Sequence, residues 1–208
     1  MNPIINGIVA AWNSLTKPKP MPPKPQPYTD LYNKATIRPE KKAEVKYAVN
    51  NILRGKPRYE AVVKVLGNGM PWYVLGIIHC LEAANNFNHH PHNGDPLTSR
   101  TTHVPKGRPK AEPIAGPGKP YTWEESAVDA LRYTGMDVTT DWSIENTLKV
   151  LEGYNGWGYK KKGLPSPYLW SMTNHYSKGK FVKDGIYDPD FVSKQPGAVS
   201  LMKGIGVV

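Results

Sequence analysis

Residues 71–88 read PWYVLGIIHCLEAANNFN. The run from Trp72 to Leu81 is apolar apart from His79, and Pro71 suits the first turn of a helix. An apolar helix must face the core, so the rest of the chain has to pack around this one. Leu75, Ile78 and Glu82 fall in one line, at steps of three and four residues. That places a carboxyl at the end of a core-facing stripe. A polar, turn-rich ribbon follows at once, HHPHNGDPLTSRTTHVP.

Two effects act together on Glu82. Burial disfavours its charged form, and the negative end of the helix dipole does the same. Both raise its pKa. A carboxylic acid still protonated near neutral pH suits proton donation to a leaving oxygen, as in glycoside cleavage. An exposed or salt-bridged helix-end Glu is the plainer reading of the same position.

The surrounding chain has 208 residues, enough for one domain with an extension. A short helix or arm is expected at 1–15. "TKPKPMPPKPQP" at 16–27 reads as a Pro/Lys-rich linker in polyproline-II form. The folded domain is expected over 28–208. Helical spacing marks 40–55, ended by Gly55, then 58–69 and 71 to about 85. "TWEE" at 122–125 is a capping box that starts a helix running to about Thr134. Another helix is expected at 143–153, closed by Gly153, and a turn or two around Tyr168–His175. The tail PGAVSLMKGIGVV is apolar enough to pack back on the domain. Residues 88–120 lack helical period; "LTSRTTHVP" is the place for a short strand or two. The expected fold is α+β, mainly α, with a helical lobe and a small β or irregular lobe flanking a cleft.

Lys and Arg number 27 against 17 Asp and Glu, a net charge of +10. That field attracts polyanions: nucleic acid, anionic membrane or the bacterial wall. The basic residues are spread rather than gathered on one element, which argues against nucleic acid. No apolar run approaches the ~18 residues that span a bilayer, so stable membrane insertion is not expected. The first residues carry no basic n-region, and no signal peptide is expected. Cys80 is the single cysteine, so no intrachain disulfide is possible. It reads as a small buried hydrophobe, with a reactive thiol as the alternative.

His89, His90, His92, Asp95 and His103 include zinc-ligand types, but "HHPH" lacks the spacing of a helical HExxH and no Cys cluster follows. No metal and no cofactor are expected. The alternatives are a polar sugar site, with His92 and Asn88 on it, or an exposed loop. Asp95 lies in Asn-Gly-Asp-Pro, a turn sequence. It is equally placed to be a second carboxylate that activates water or stabilises an oxocarbenium-like transition state, with Thr101 or Thr102 placing the water. Trp157 and Tyr159 stand in a Gly-rich turn, as candidate platforms for sugar rings. "YKKKG" beside them reads as a solvated charge run or as a contact for anionic wall peptides.

"LGNGMPWYVLGIIHCLEAANNFN" resembles the opening motif of lytic transglycosylase and goose-type lysozyme catalytic domains. Gly69, Pro71, the Leu75–Leu81 helix, Glu82, Phe87 and Asn88 match it, while Ala83 replaces the usual Ser. "LEGYNGWG" at 151–158 is similar to the family's "AYNAGPG" segment, through Tyr154, Asn155 and Gly156. Tyr168 falls in the place of a further family helix. The family's "GLMQ" segment is missing. "NFNHHPHNGDPLTSRTTHVPKGRP" stands there instead and is similar to segments of phage and bacterial wall-lytic proteins. Glu82, Asp95 and Thr101 resemble the Glu…Asp…Thr pattern of phage lysozymes. The resemblance spans about 58–182. It implies a lysozyme-like fold and an endolysin-like muramidase acting on bacterial peptidoglycan as a monomer. Glu82, Asp95 and Thr101 would be catalytic; Tyr154, Asn155, Trp157, His92, Asn88 and Tyr168 would bind substrate. It further implies residence in a host cytoplasm before lysis and action at the cell wall or periplasm. A lytic transglycosylase and a non-catalytic wall-binding module remain the alternatives.

Overall fold

The computed structural model describes residues 27–183 and 185–207. The helix expected at 4–15 and the proline linker up to Gln26 lie outside them. The described chain is mainly helical with a small two-stranded sheet. In chain order the helices are α1 (Tyr28–Lys34), α2 (Lys42–Leu66), α3 (Trp72–Ala83), α4 (Trp123–Tyr133), α5 (Ile144–Asn155), α6 (Gly158–Lys161), α7 (Pro167–Trp170) and α8 (Ala198–Ile205). The strands β1 (Lys180–Lys183) and β2 (Ile186–Asp188) lie between α7 and α8.

Helix α3 occupies the core. Val74, Leu75, Ile77 and Ile78 have no measurable exposure. Each such burial is worth roughly 1.5–3 kcal/mol. α2 lies along α3, and α8 closes over both. Small residues set the approach. A Cβ on Gly76 would stand 2.8 Å from the Ile52 side chain, and one on Gly204 would stand 2.8 Å from Val49. The apolar tail thus packs back as expected, through Val199, Leu201 and Met202.

The two helices expected at 40–55 and 58–69 are one continuous helix, α2. Gly55 does not end it; this residue is buried, and the Tyr59 ring fills the space beside its Cα. Pro57 lies inside the helix on its exposed side. The carbonyl that loses its partner belongs to Leu53, itself an exposed residue, which lowers the penalty of the proline. Gly67 is the residue that stops α2, at φ 68°.

The capping box of α4 is present in both directions: Thr122 accepts from the Glu125 amide, and Glu125 accepts from the Thr122 amide. α5 runs past Gly153 to Asn155 and is closed by Gly156, at φ 91°.

The β structure is displaced from its expected place. "LTSRTTHVP" forms turns, tied together by Asp95, and its neighbourhood holds only an isolated bridge between His89 and Pro96. The sheet is built instead from 180–188, beyond the helical turn or two expected around Tyr168–His175. α7 lasts one turn: Ser171 leaves the helix at ψ 144°, and Met172 then takes φ 64°. The chain then extends, and Phe181 pairs with Tyr187 and Lys180 with Asp188 across the turn at Gly185. So the irregular lobe and the sheet are separate elements, and only the sheet walls the cavity described next.

Candidate functional site

Glu82 lies in the last turn of α3. Ala84 and Asn85 adopt left-handed φ of 50° and 59°, and their amides return to the Cys80 and His79 carbonyls. This closes the helix two residues after the acid, so the carboxyl sits at its negative end. Glu82 opens on a cavity of about 720 Å³. The end of α5, the turn at Gly156, α7, β1 and the 193–196 segment form its other walls. Gln195 Nε2 donates to the Leu81 carbonyl at 3.0 Å and so pins that last segment to α3.

Burial pushes the Glu82 pKa up to about 7, and a contact with the Tyr168 hydroxyl opposes the rise. That contact is not a well-formed hydrogen bond, since the buried hydroxyl has no partner within hydrogen-bond geometry among the described residues. Burial drives the pKa of Tyr168 far above its ordinary value, and the charge of Glu82 adds to this. Tyr154 responds in the same way. Its hydroxyl donates to the Pro91 carbonyl at 2.7 Å, so this ring joins the α5 end to the loop after α3.

The cavity brings together four residues that the sequence singles out: Glu82, Asn155, Tyr159 and Tyr168. Tyr154 stands behind them, close enough to feel the acid. Asn88, His92, Asp95, Thr101 and Trp157 do not line it. Among the described residues that do, Glu82 is the only carboxylate.

Asp95 is committed elsewhere. One of its oxygens accepts from the Thr102 and His103 amides at 2.7 and 3.0 Å, and the other meets His103 Nδ1 at 2.6 Å. Burial pushes its carboxyl up, but these hydrogen bonds outweigh it and hold the group well below the usual carboxylate range. Thr101 is buried. Its hydroxyl donates to the Pro105 carbonyl and accepts from the Arg108 amide, which clamps the 101–108 loop. Asn88 is an exposed turn residue.

His92 belongs to a buried network. Its Nε2 meets Asp129 at 2.9 Å and its Nδ1 meets Ser126 at 3.3 Å. This has the residue types of a nucleophilic triad, yet Ser126 is fully buried and also bonds His90 at 2.6 Å. No substrate reaches that hydroxyl. Arg108 joins the same Asp129 through two nitrogens. The network therefore fastens the ribbon to α4. Among the described residues no group of three or more His, Cys, Asp or Glu is placed to hold a metal ion.

Trp157 is 38% exposed, and the Lys160 ammonium lies 5.2 Å from its ring centre. Tyr159 is buried, unlike an exposed platform. Its hydroxyl accepts from the Phe181 amide at 2.8 Å and locks β1 to α6. Cys80 points away from Glu82 into a second cavity of about 600 Å³, and burial pushes its thiol up to about 11. That is an unreactive thiol.

Sequence reasoning missed Lys180, Phe181, Lys183 and Gln195, which line the cavity from far along the chain. Adjacent aromatic and β-branched residues, Phe181 and Val182, before a Gly turn were the available signal for β1. Gln195 carries no local signal. Among the described residues no helix is long and apolar enough to cross a membrane. Compared with protein-family models, curated proteins and solved structures, the chain matches none.

Proposed function

We propose that this protein is a peptidoglycan-cleaving glycosidase of lysozyme-like type, with Glu82 as its general acid. The observation that carries the reading is the position of Glu82: a carboxyl with a pKa raised to about 7, facing a cavity large enough for sugar residues. Near pH 6 such a group is mostly protonated and is poised to donate to a glycosidic oxygen. Asn155 and Tyr168 border the same space, which agrees with the sugar-binding places implied by the family resemblance. The site residues use no metal and no cofactor in this chemistry.

Glu82 is the only carboxylate among the described cavity residues, which favours a second outcome for the same reaction. A retaining or inverting hydrolase needs a partner carboxylate, about 5 to 9.5 Å from the acid. No described residue on the cavity supplies one beyond Glu82. Glu82 then acts twice: as acid to the leaving oxygen, then as base to the sugar's own C6 hydroxyl, which closes an anhydro ring. That is the transglycosylase outcome. Asp95 enters neither route, because its oxygens are already held in the ribbon.

The test is release of soluble fragments from dye-labelled, purified wall. Wild-type protein is expected to release dye, and Glu82→Gln to release less than about one hundredth as much. Equal release by the two proteins would rule out Glu82 as the acid.

A further inference from the structure

The cavity has one acidic corner and one basic wall. Lys161 and Lys162 at the end of α6, and Lys180 and Lys183 on β1, line the side formed by the hairpin. Among the described residues none of the four makes a salt bridge. Two of them rest against aromatic rings. The Lys162 ammonium lies 5.6 Å from the Phe181 ring centre and 6.0 Å from that of Tyr187; the Lys180 ammonium lies 5.9 Å from that of Phe191. Phe181 and Tyr187 are themselves a cross-strand pair, in edge-to-face contact at 5.4 Å. These rings attract the Lys162 and Lys180 cations without neutralising them.

Nor do these lysines serve the acid. The influences on the Glu82 carboxyl are its burial and Tyr168, with no lysine among them. A pair or network with Glu82 would have favoured its charged form. Four like charges from two separate elements thus border one cavity, and together they attract an anion to it.

We propose that this lysine wall is an anion subsite, which takes the carboxylates carried by the peptide substituents of a glycan whose glycosidic oxygen sits at Glu82. The proposal rests on the glycosidase reading for the position of the sugar. It adds that the peptide carboxylates themselves are recognised beside the sugars, so that strands carrying them are preferred to uncharged N-acetylated sugars. The geometry favours substituents of the sugar itself: wall and acid share one cavity, so the anion must be carried within a residue or two of the scissile bond. Phosphate on a wall polymer has the same charge chemistry, and the experiment separates the two sources.

Binding is read by calorimetry on the full chain carrying Glu82→Gln, so that turnover does not consume the probe. The probes are soluble peptide-bearing glycan strands, the same strands with their carboxyls converted to amides, phosphate-free strands, and an uncharged N-acetylglucosamine oligomer. Native and phosphate-free strands are expected to bind equally, and both roughly tenfold more tightly than amidated strands or the oligomer. Neutralising the wall, with Lys161→Gln, Lys162→Gln, Lys180→Gln and Lys183→Gln together, is expected to erase that difference. A melting curve confirms folding, and Lys162→Arg with Lys180→Arg is expected to restore the preference. Equal affinity for native and amidated strands, or absence of binding to any strand, overturns the proposal. A preference that survives the four substitutions, or that disappears with phosphate alone, overturns it too. Glycan cleavage by the wild-type protein is scored separately. Cleavage without a carboxylate preference removes the subsite and leaves the glycosidase reading; a preference without cleavage does the reverse.

Discussion

Gly94 packs against the backbone of Glu82: a Cβ at Gly94 would stand 2.6 Å from the Glu82 carbonyl oxygen. Gly94 also takes φ 78°, which L side chains rarely adopt. The ribbon therefore touches the acid's residue through main chain, while its own Asp95 turns away into a cage of amides. Gly94→Ala is expected to destabilise the fold by roughly 2–3 kcal/mol, from a clash and a strained φ together. A denaturant melt measures this. The same variant should lose glycan cleavage even where it remains folded, because the clash falls on the acid itself. An unchanged midpoint would show that the ribbon does not press on α3.

Glu82 should make the protein less stable above neutral pH, whatever its function. The carboxyl moves from 4.5 in the ordinary state to about 7 when folded. The folded state thus binds its proton more tightly, and stability falls as pH rises from about 4.5 to 7. Above pH 7 the full deficit is present, on the order of 3 kcal/mol. Glu82→Gln removes the deficit. It is expected to raise the melting temperature at pH 8 and change it little at pH 4. A variant with the same effect at both pH values would mean that Glu82 titrates normally.

The alkaline limb of activity follows from the same group. An acid with a pKa of about 7 loses activity about tenfold for each pH unit above that value. Tyr168→Phe should move this limb to higher pH, because the hydroxyl is what opposes the rise. The substitution also removes a buried hydroxyl without a hydrogen-bond partner, so stability should hold or improve. Rate profiles from pH 5 to 9 on soluble strands check both. A limb that moves to lower pH would contradict the role assigned to Tyr168.

Asp95 and Glu82 should separate cleanly. Asp95→Asn keeps the size and loses the charge that accepts from two amides and from His103. It is expected to cost roughly 1.5–3 kcal/mol of stability. Asp95 has a depressed pKa, so its stabilisation is present above an unfolded value of about 3.8 and lost as pH falls further. The kcat of the folded fraction should stay within about threefold of wild type, since Asp95 does not line the cavity. A thousandfold loss in kcat with an unchanged melt would restore Asp95 as a second catalytic carboxylate.

Much of this was legible in the residues. The run from Trp72 to Leu81 has no polar face, so it could only be a core helix. Glu82 at its end inherits the burial that raises its pKa. The Thr122–Glu125 box names its own two hydrogen bonds. Other features were closed to sequence alone. Asn-Gly-Asp-Pro uses the residue types that both a turn and a sugar site require, and only the hydrogen bonds to Thr102 and His103 distinguish them. Gly55 looked like a helix stop, because its real partner, the Tyr59 ring, is a matter of packing. Lys180 and Lys183 meet Glu82's cavity across about a hundred residues of chain. That meeting depends on Tyr159 locking the hairpin, a contact no local pattern announces.

The central claim is that Glu82 cleaves a glycosidic bond in peptidoglycan, and mass spectrometry of the products tests it most directly. Purified wall digested by the wild-type protein should yield disaccharide–peptide fragments, with anhydro ends if Glu82 works alone and reducing ends if water is the acceptor. Glu82→Gln should yield neither. Free peptides without glycan cleavage, or glycan fragments produced equally by Glu82→Gln, would contradict the account.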